Sequence, residues 1–384
     1  MSNKDIKVSI ARLFEEMATG LETGSFGRKP KIIVTGHGSE HGEDNVLAGC
    51  RQAAAKGIDV IYLGTKSIEG VETVEVATDD EQLAKMEELL DAGEADAAVA
   101  MHYPFPIGVS TVGRVIAPST GKKLYLATTT GTSATDRIEA MVKNAVAGII
   151  TAKASGIEQP TVGILNVDGA RQTEIVLNQL KENGYDIHFA TSGRADGGAV
   201  MRGNDVLRGT PDIMVTDSLT GNVLTKMMSA QASGGSIETA GDGYGPGIGQ
   251  GHKRLVMIIS RASGTPVIEG AITFAAELVK GGVFQIAEAE YKAAEAAGLK
   301  KILEARKKQA APAAEAEEVK APPKEVVTYE LAGIEVMDLE DAVSKLWSKG
   351  IYAESGMGCT GPIIRVNEAK TDDAEAVLKE AGFR

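Results

Sequence analysis

The feature that most constrains this chain is a repeated alternation. A short apolar run ends on glycine or a small polar residue, an amphipathic stretch follows, and another apolar run begins. Lys31-Ile32-Ile33-Val34-Thr35 is the first such run, followed by the turn Gly36-His37-Gly38-Ser39-Glu40-His41-Gly42. Asp44 or Asn45 can cap a helix over 46–56, Gly57 ends it, and 59–64 reads as a second strand. That is a βαβ unit, the building block of a parallel sheet. The pattern predicts further strands at 97–101, 124–127, 162–167, 187–190, 213–216 and 256–260. Helices are expected at 80–92, 134–155, 174–183, 268–280 and 286–307. The expected fold class is α/β, an open parallel sheet covered on both faces.

Composition narrows the function. Forty Lys and Arg against 53 Asp and Glu leave a net charge of −13, which excludes a basic nucleic-acid surface and disfavours anionic lipid. The 45 glycines beside 4% aromatic residues suit tight loops over small ligands. Two cysteines, Cys50 and Cys359, make no disulfide framework and fit a reducing cytoplasm. The amino-terminal stretch lacks the unbroken apolar core of a signal peptide, and no run approaches the ~18 apolar residues of a membrane span. Ile6, Ile10, Leu13, Met17 and Leu21 instead predict an amphipathic helix over 4–21, packed on the domain surface or docking another subunit.

The alternation stops at 307–325, KKQAAPAAEAEEVKAPPKE, where Val319 is the one larger apolar residue. Such a segment cannot bury enough surface to fold, and proline stiffens it into a spacer. The chain therefore divides into a body (1–306), a linker (307–325) and a small module (326–384) with strands, two helices and a glycine-rich turn. A core drawn from so few residues is thin, so the module is expected to lean on the body or on a partner.

Several motifs can carry chemistry. The 36–42 turn sits where a dinucleotide fingerprint would, but position 41 is His and the second strand ends in Gly64 without a ribose-binding acid. It reads as a plain turn or as a loop for another anion at a helix start. Residues 116–123 imitate a Walker A loop, with Ile116 and Lys123 in the positions that must be Gly and Ser or Thr. In the 211–226 stretch a buried strand ends in Thr216-Asp217, and a turn brings Ser218, Thr220, Gly221 and Asn222 to the carboxyl edge of the sheet, with Lys226 further on. Hydroxyls, amides and a lysine at that edge suit a phosphoryl or acyl-phosphate group, or they simply cap a helix. The 241–254 run alternates glycine with other residues, which predicts a loop around a ligand at Gly243 and Gly245, with His252, Lys253 and Arg254 supplying charge, or else a flexible surface loop with those residues solvated. His102 follows a strand and faces a cleft or serves the core. The five histidines show no metal-ligand spacing, so no metal is expected. Cys50 reads as a core residue. Cys359, in Ser355-Gly356-Met357-Gly358-Cys359-Thr360-Gly361-Pro362, reads as an accessible thiol flanked by free backbone N–H groups.

Residues 161–279 resemble the PlsX-like phosphate acyltransferase family. Val162-Gly163-Ile164-Leu165-Asn166-Val167, the 212–226 stretch and Gly243-Tyr244-Gly245 carry the likeness, which departs from the family's Gly-Phe at Ser218 and Leu219. The resemblance implies a PlsX-like body, akin to isocitrate and isopropylmalate dehydrogenases. It also implies a phosphate and acyl site at Thr216, Asp217, Thr220, Gly221, Asn222, Lys226, Gly243, Gly245 and His252. The whole chain, linker and Gly-Met-Gly-Cys-Thr-Gly-Pro turn included, is similar to the alpha subunits of protein C in glycine/sarcosine/betaine reductase complexes. That resemblance implies an acetyl thioester on Cys359, phosphorolysis to acetyl phosphate, and no cofactor beyond inorganic phosphate as substrate. It implies two partners, a ketoacyl-synthase-like beta subunit and selenoprotein A. A non-catalytic scaffold and a coenzyme A-dependent phosphate acetyltransferase are the alternatives.

Overall fold

A computed structural model describes residues 28–193, 197–310, 319–334, 338–358 and 361–384, together with 14, 17 and 18. Most of the expected amino-terminal helix, part of the linker, and Cys359 with Thr360 lie outside the described residues.

The body is one 12-stranded sheet with the order β3-β2-β1-β4-β12-β11-β5-β6-β10-β7-β8, and β9 pairs with β7. Its strands are β1 (Lys31–Thr35), β2 (Asp59–Gly64), β3 (Glu72–Glu75), β4 (Ala97–Ala100), β5 (Val109–Ile116) and β6 (Lys123–Thr132). They continue with β7 (Thr161–Leu165), β8 (His188–Phe189), β9 (Val200–Met201), β10 (Ile213–Val215), β11 (Gly245–Gly249) and β12 (Val256–Ile258). Pairing is parallel within β3-β2-β1-β4-β12 and within β6-β10-β7-β8. Antiparallel β11 and β5 join the two blocks. The sheet is parallel-dominated rather than parallel throughout, because these two strands reverse its sense at the centre.

The helices are α1 (Gly42–Ala54), α2 (Asp79–Asp91), α3 (Arg137–Ala154), α4 (Ala170–Glu182), α5 (Gly203–Arg208) and α6 (Ser218–Ala230). After them come α7 (Thr265–Lys280), α8 (Val283–Ala296) and α9 (Leu299–Ala310). The single helix expected over 286–307 is two, broken at Gly298, whose φ is +91°. The second of them runs to Ala310, into the expected linker. Asp136 caps α3, its carboxylate accepting from the Glu139 amide at 2.8 Å. That helix is apolar nearly all round, with Met141, Val142, Val146, Ile149 and Ile150 buried, as befits a helix at the centre of a body. Gly148 lets it approach the sheet, since a Cβ there would stand 2.5 Å from Ile213.

The module has its own sheet, β13-β15-β14, formed by β13 (Tyr329–Ala332), β14 (Ala353–Gly358) and β15 (Gly361–Val366). With α10 (Leu339–Ser348) and α11 (Thr371–Glu380) it encloses a separate core around Leu331, Val343, Leu346, Ile364 and Leu378. It touches the first turn of α4, where Gln172 Nε2 donates to the Gly382 carbonyl at 2.9 Å and Arg171 lies against Gly333. No helix among the described residues is long and apolar enough to cross a membrane.

Candidate functional site

Strand order locates the crevice. From β1 the chain moves outward through β2 and β3 on one side, and β4 then pairs on the other side. Ligands of open α/β sheets bind outside the carboxyl ends of strands at such a switch point. Here that place holds the 36–42 turn after β1, Met101 after β4, and Ser260-Arg261 just beyond β12. The Arg261 guanidinium lies against Gly38, 3.8 Å from where a Cβ would stand, and its carbonyl accepts from the Glu40 amide at 2.9 Å. At the start of α1, His41 makes no side-chain hydrogen bond to the first turn. His37 is fixed by contacts of its ring with the Val76 carbonyl (2.8 Å) and of its amide with Gln82 (3.1 Å).

Lys226, from α6, reaches the same edge. Its Nζ is 3.4 Å from Ser260 Oγ and 3.5 Å from Glu238 Oε1. Glu238 is buried and also accepts from Tyr244 Oη and Ser263 Oγ, each at 3.0 Å. Burial, and then the neighbouring Glu238 carboxylate, push the Tyr244 phenol well above its ordinary value, so it stays a donor. The Ser263 hydroxyl accepts from the Ser260 amide at 3.0 Å, which ties the loop together. The result is a partly exposed ammonium, a guanidinium and a hydroxyl beside amides at a helix start, an arrangement that suits an oxyanion. Sequence reading missed Ser260, Arg261, Glu238 and Ser263. The available signal was a Ser-Arg-x-Ser-Gly run closing the last strong strand.

The other expected site residues are distributed differently. Asp217 caps α6, accepting from the Thr220 amide (3.0 Å) and hydroxyl (2.7 Å). The helix start expected to cradle an anion therefore already carries a carboxylate of its own. Asn222 Nδ2 donates to the Thr129 carbonyl at 3.2 Å. Gly221 permits contact between α6 and β6, since a Cβ would stand 1.8 Å from the Thr128 carbonyl oxygen. Thr216 is fully buried, and its Oγ1 has no hydrogen-bond partner. Lys226 is nine positions along the helix from Asp217, about 13 Å along the axis. Beside Thr216 runs a hydroxyl network that sequence reading also missed. Asn144 accepts from Ser110 and Ser133 and donates to the Thr216 carbonyl, while Thr128 donates to the Thr111 carbonyl.

The glycine run is not one open loop: Gly243 lies in a turn and Gly245 in a strand. Gly245 opens the buried strand β11, and Gly243 packs against the Ile258 carbonyl oxygen, 2.9 Å from a would-be Cβ. A Cβ on Gly245 would meet the Val112 carbonyl oxygen at 1.8 Å, and one on Gly247 the Phe105 ring at 2.3 Å. Missing side chains here let neighbouring backbones and rings close in, which is a use of glycine inside a sheet.

His252 is also relocated. It lies before β12, with Ser260 beyond the other end of that strand, up to roughly 26 Å of extended chain away. It lines a cavity of about 630 Å³ with Glu87, Asp91, Tyr103 and Arg254. Burial lowers its pKa, its Nε2 has no partner, and Phe105 packs edge-on against the ring. His102 is exposed. Among the described residues no group of three or more His, Cys, Asp or Glu side chains could hold a metal ion.

Fold and crevice together define a doubly wound α/β protein with Lys226, Ser260 and Arg261 at its strand ends. It belongs to the fatty acid synthesis protein family, which matches residues 30–365. The chain is 58% identical over 381 residues, 99% of each chain, to the glycine/sarcosine/betaine reductase complex component C subunit alpha of Peptoclostridium acidaminophilum. It is 26% identical over 238 residues to a phosphate acyltransferase of Thermus thermophilus, covering 53% of this chain and 72% of that one. The crystal structure of a branched-chain phosphotransacylase from Enterococcus faecalis aligns with a TM-score of 0.45 and 16% identity, over 65% of this chain and 98% of that one.

Proposed function

We propose that this chain is the acyl-transfer subunit of a reductase complex, carrying a two-carbon group as an acetyl thioester on Cys359 and releasing it to inorganic phosphate as acetyl phosphate. The observation that carries the reading is the convergence of Lys226, Arg261 and Ser260 at the switch-point crevice, on a chain similar from end to end to a reductase component C alpha subunit. Phosphate acyltransferases among the relatives of the body support the reaction class.

The chemistry asks little of the protein beyond placement and charge. A thioester is already activated, so a phosphate oxygen attacks its carbonyl carbon, the C–O bond forms and the C–S bond breaks. The electron pair leaves on the Cys359 sulfur. Lys226 and Arg261 would hold the phosphate, and the Ser260 hydroxyl would orient it, with no metal or organic cofactor. The two carbons would come from a carboxymethyl group on a selenoprotein, reduced to the acetyl level as the selenium and a thiol are oxidised to a selenenyl sulfide, with a ketoacyl-synthase-like beta subunit as the second partner, in the cytoplasm. Thr216, Asp217, Thr220, Gly221 and Asn222 then serve as the frame that fixes α6, and through it Lys226.

The test uses the full chain with an acetyl thioester and phosphate. Acetyl phosphate should appear, fall at least about a hundredfold in Lys226→Ala and Arg261→Ala, and vanish in Cys359→Ala with an acetyl adduct lost from that residue by mass. No release by a folded chain, with full activity in the partner alone, would make this subunit a scaffold. Release from acetyl coenzyme A that ignores Cys359 would make it a soluble phosphate acetyltransferase.

A further inference from the structure

We infer that Met101 sets the length of the acyl group, admitting two carbons and turning longer chains away; this rests on the acyl-transfer function proposed for the crevice. The turn after β1 shows the geometry. A Cβ on Gly38 would stand 3.8 Å from the Arg261 guanidinium and 3.8 Å from the Met101 sulfur. The thioether and the cation are therefore no more than twice that distance apart, and Gly38 puts no side chain of its own into the space beside them. Arg261 is exposed, whereas Met101 is half-buried and packs against the main core.

Strand pairing fixes the surroundings. Ala100 lies opposite Ile258 in the parallel pair of β4 and β12, and its carbonyl accepts from the Ile259 amide at 3.0 Å. Met101 thus leaves the sheet next to Ser260, whose hydroxyl is 3.4 Å from Lys226 Nζ. The facing turn is tied as well. The Gly36 amide donates to the Leu63 carbonyl at 2.7 Å and the Glu40 amide to the Arg261 carbonyl at 2.9 Å. With the backbone held on these sides, the room for an acyl chain is set by side chains, and the thioether fills part of it.

An acyl phosphate has an anionic end and an apolar end. Arg261 and Lys226 suit its phosphoryl oxygens, and a neighbouring thioether suits a methyl group. With the phosphate on the cations, the acetyl methyl rests against the Met101 sulfur. Each further methylene must enter volume that Met101 already occupies, which overpacks the site.

The experiment runs the transfer in reverse on the full chain, with acetyl, propionyl or butyryl phosphate as the probe. The Cys359 thiolate attacks the acyl carbon, the C–S bond forms, the C–O bond breaks, and inorganic phosphate leaves with the electron pair. The adduct on Cys359 is followed by mass. Wild type should be acylated by acetyl phosphate at least about tenfold faster than by butyryl phosphate. Met101→Ala should shift that ratio at least about tenfold towards butyryl, with Met101→Val in between. Each ratio is taken within one protein, so a partly unfolded variant still reports it. A wild type indifferent to chain length, or a ratio unchanged in both variants, would overturn the inference and leave the acyl-transfer function standing. A chain that takes no acyl group onto Cys359 from any of these phosphates would overturn that function and this inference with it.

Discussion

Lys226 Nζ stands 3.5 Å from Glu238 Oε1, pairing a side chain that is 55% exposed with one that is 2% exposed. The carboxylate is anchored from below by Tyr244 and Ser263, so the ammonium above it has a fixed seat. Glu238→Gln keeps the shape and removes the charge. We expect it to lower the efficiency of acetyl phosphate formation by about tenfold or more, through loss of the seat rather than of the fold. Steady-state kinetics beside thermal unfolding separates the two. A variant as active as the wild type would remove Glu238 from the account.

Gly221→Ala tests how closely α6 rests on β6. A Cβ there would stand 1.8 Å from the Thr128 carbonyl oxygen, a backbone atom that cannot swing aside as a flexible side chain would. The helix must shift, and with it Lys226. The expected loss is more than about 3 kcal/mol, read from denaturant unfolding. A near-neutral change would show that the contact is looser than described.

Glu43 sets part of the acid limit. Burial works against its charge, but hydrogen bonds from Thr65, Tyr62 and the amides of Thr65 and Lys66 outweigh that and bring its pKa from 4.5 to about 2. A depressed folded value stabilises the protein above the unfolded value. That stability is lost as pH falls through 4.5 towards about 2. Glu43→Gln should therefore be less stable at neutral pH and show a shallower decline across that window. Parallel acid-unfolding curves for the two proteins would contradict this.

The two cysteines should differ in reactivity. Burial pushes the Cys50 thiol up to about 12, so almost none is thiolate near pH 8. Native protein treated with iodoacetamide should gain at most one adduct, on Cys359, and a second only after denaturation. Rapid native labelling of Cys50 would show that the packing of α1 against α7 opens readily.

Much of the body was legible because its elements announce themselves locally. β1, β2 and α2 follow from apolar runs and glycine stops, and the structure places them within a few residues of expectation. β5 and β11 were not legible. Residues 109–116 mix serine, threonine, glycine and arginine, and that arginine, Arg114, is buried by pairing with Asp242 and Glu277 and stacking on Phe274. β11 alternates glycine with other residues, which shows no apolar stripe to detect, and neighbouring backbone and the Phe105 ring leave no room for side chains at its glycines.

By itself the sequence determined the α/β class, the linker-like composition change and the family, since short-range patterning and long motifs survive without coordinates. Only the tertiary structure decided the site. The crevice draws on β1, β4, β12 and α6, segments spread over more than two hundred residues from Lys31 to Ile258, and their meeting depends on a strand order that no local pattern encodes. The same packing turned Asp217 into a cap, Gly245 into a point of close contact and His252 into the wall of another cavity. A residue type states what a side chain can do, and its neighbours in space decide which of those capacities is free.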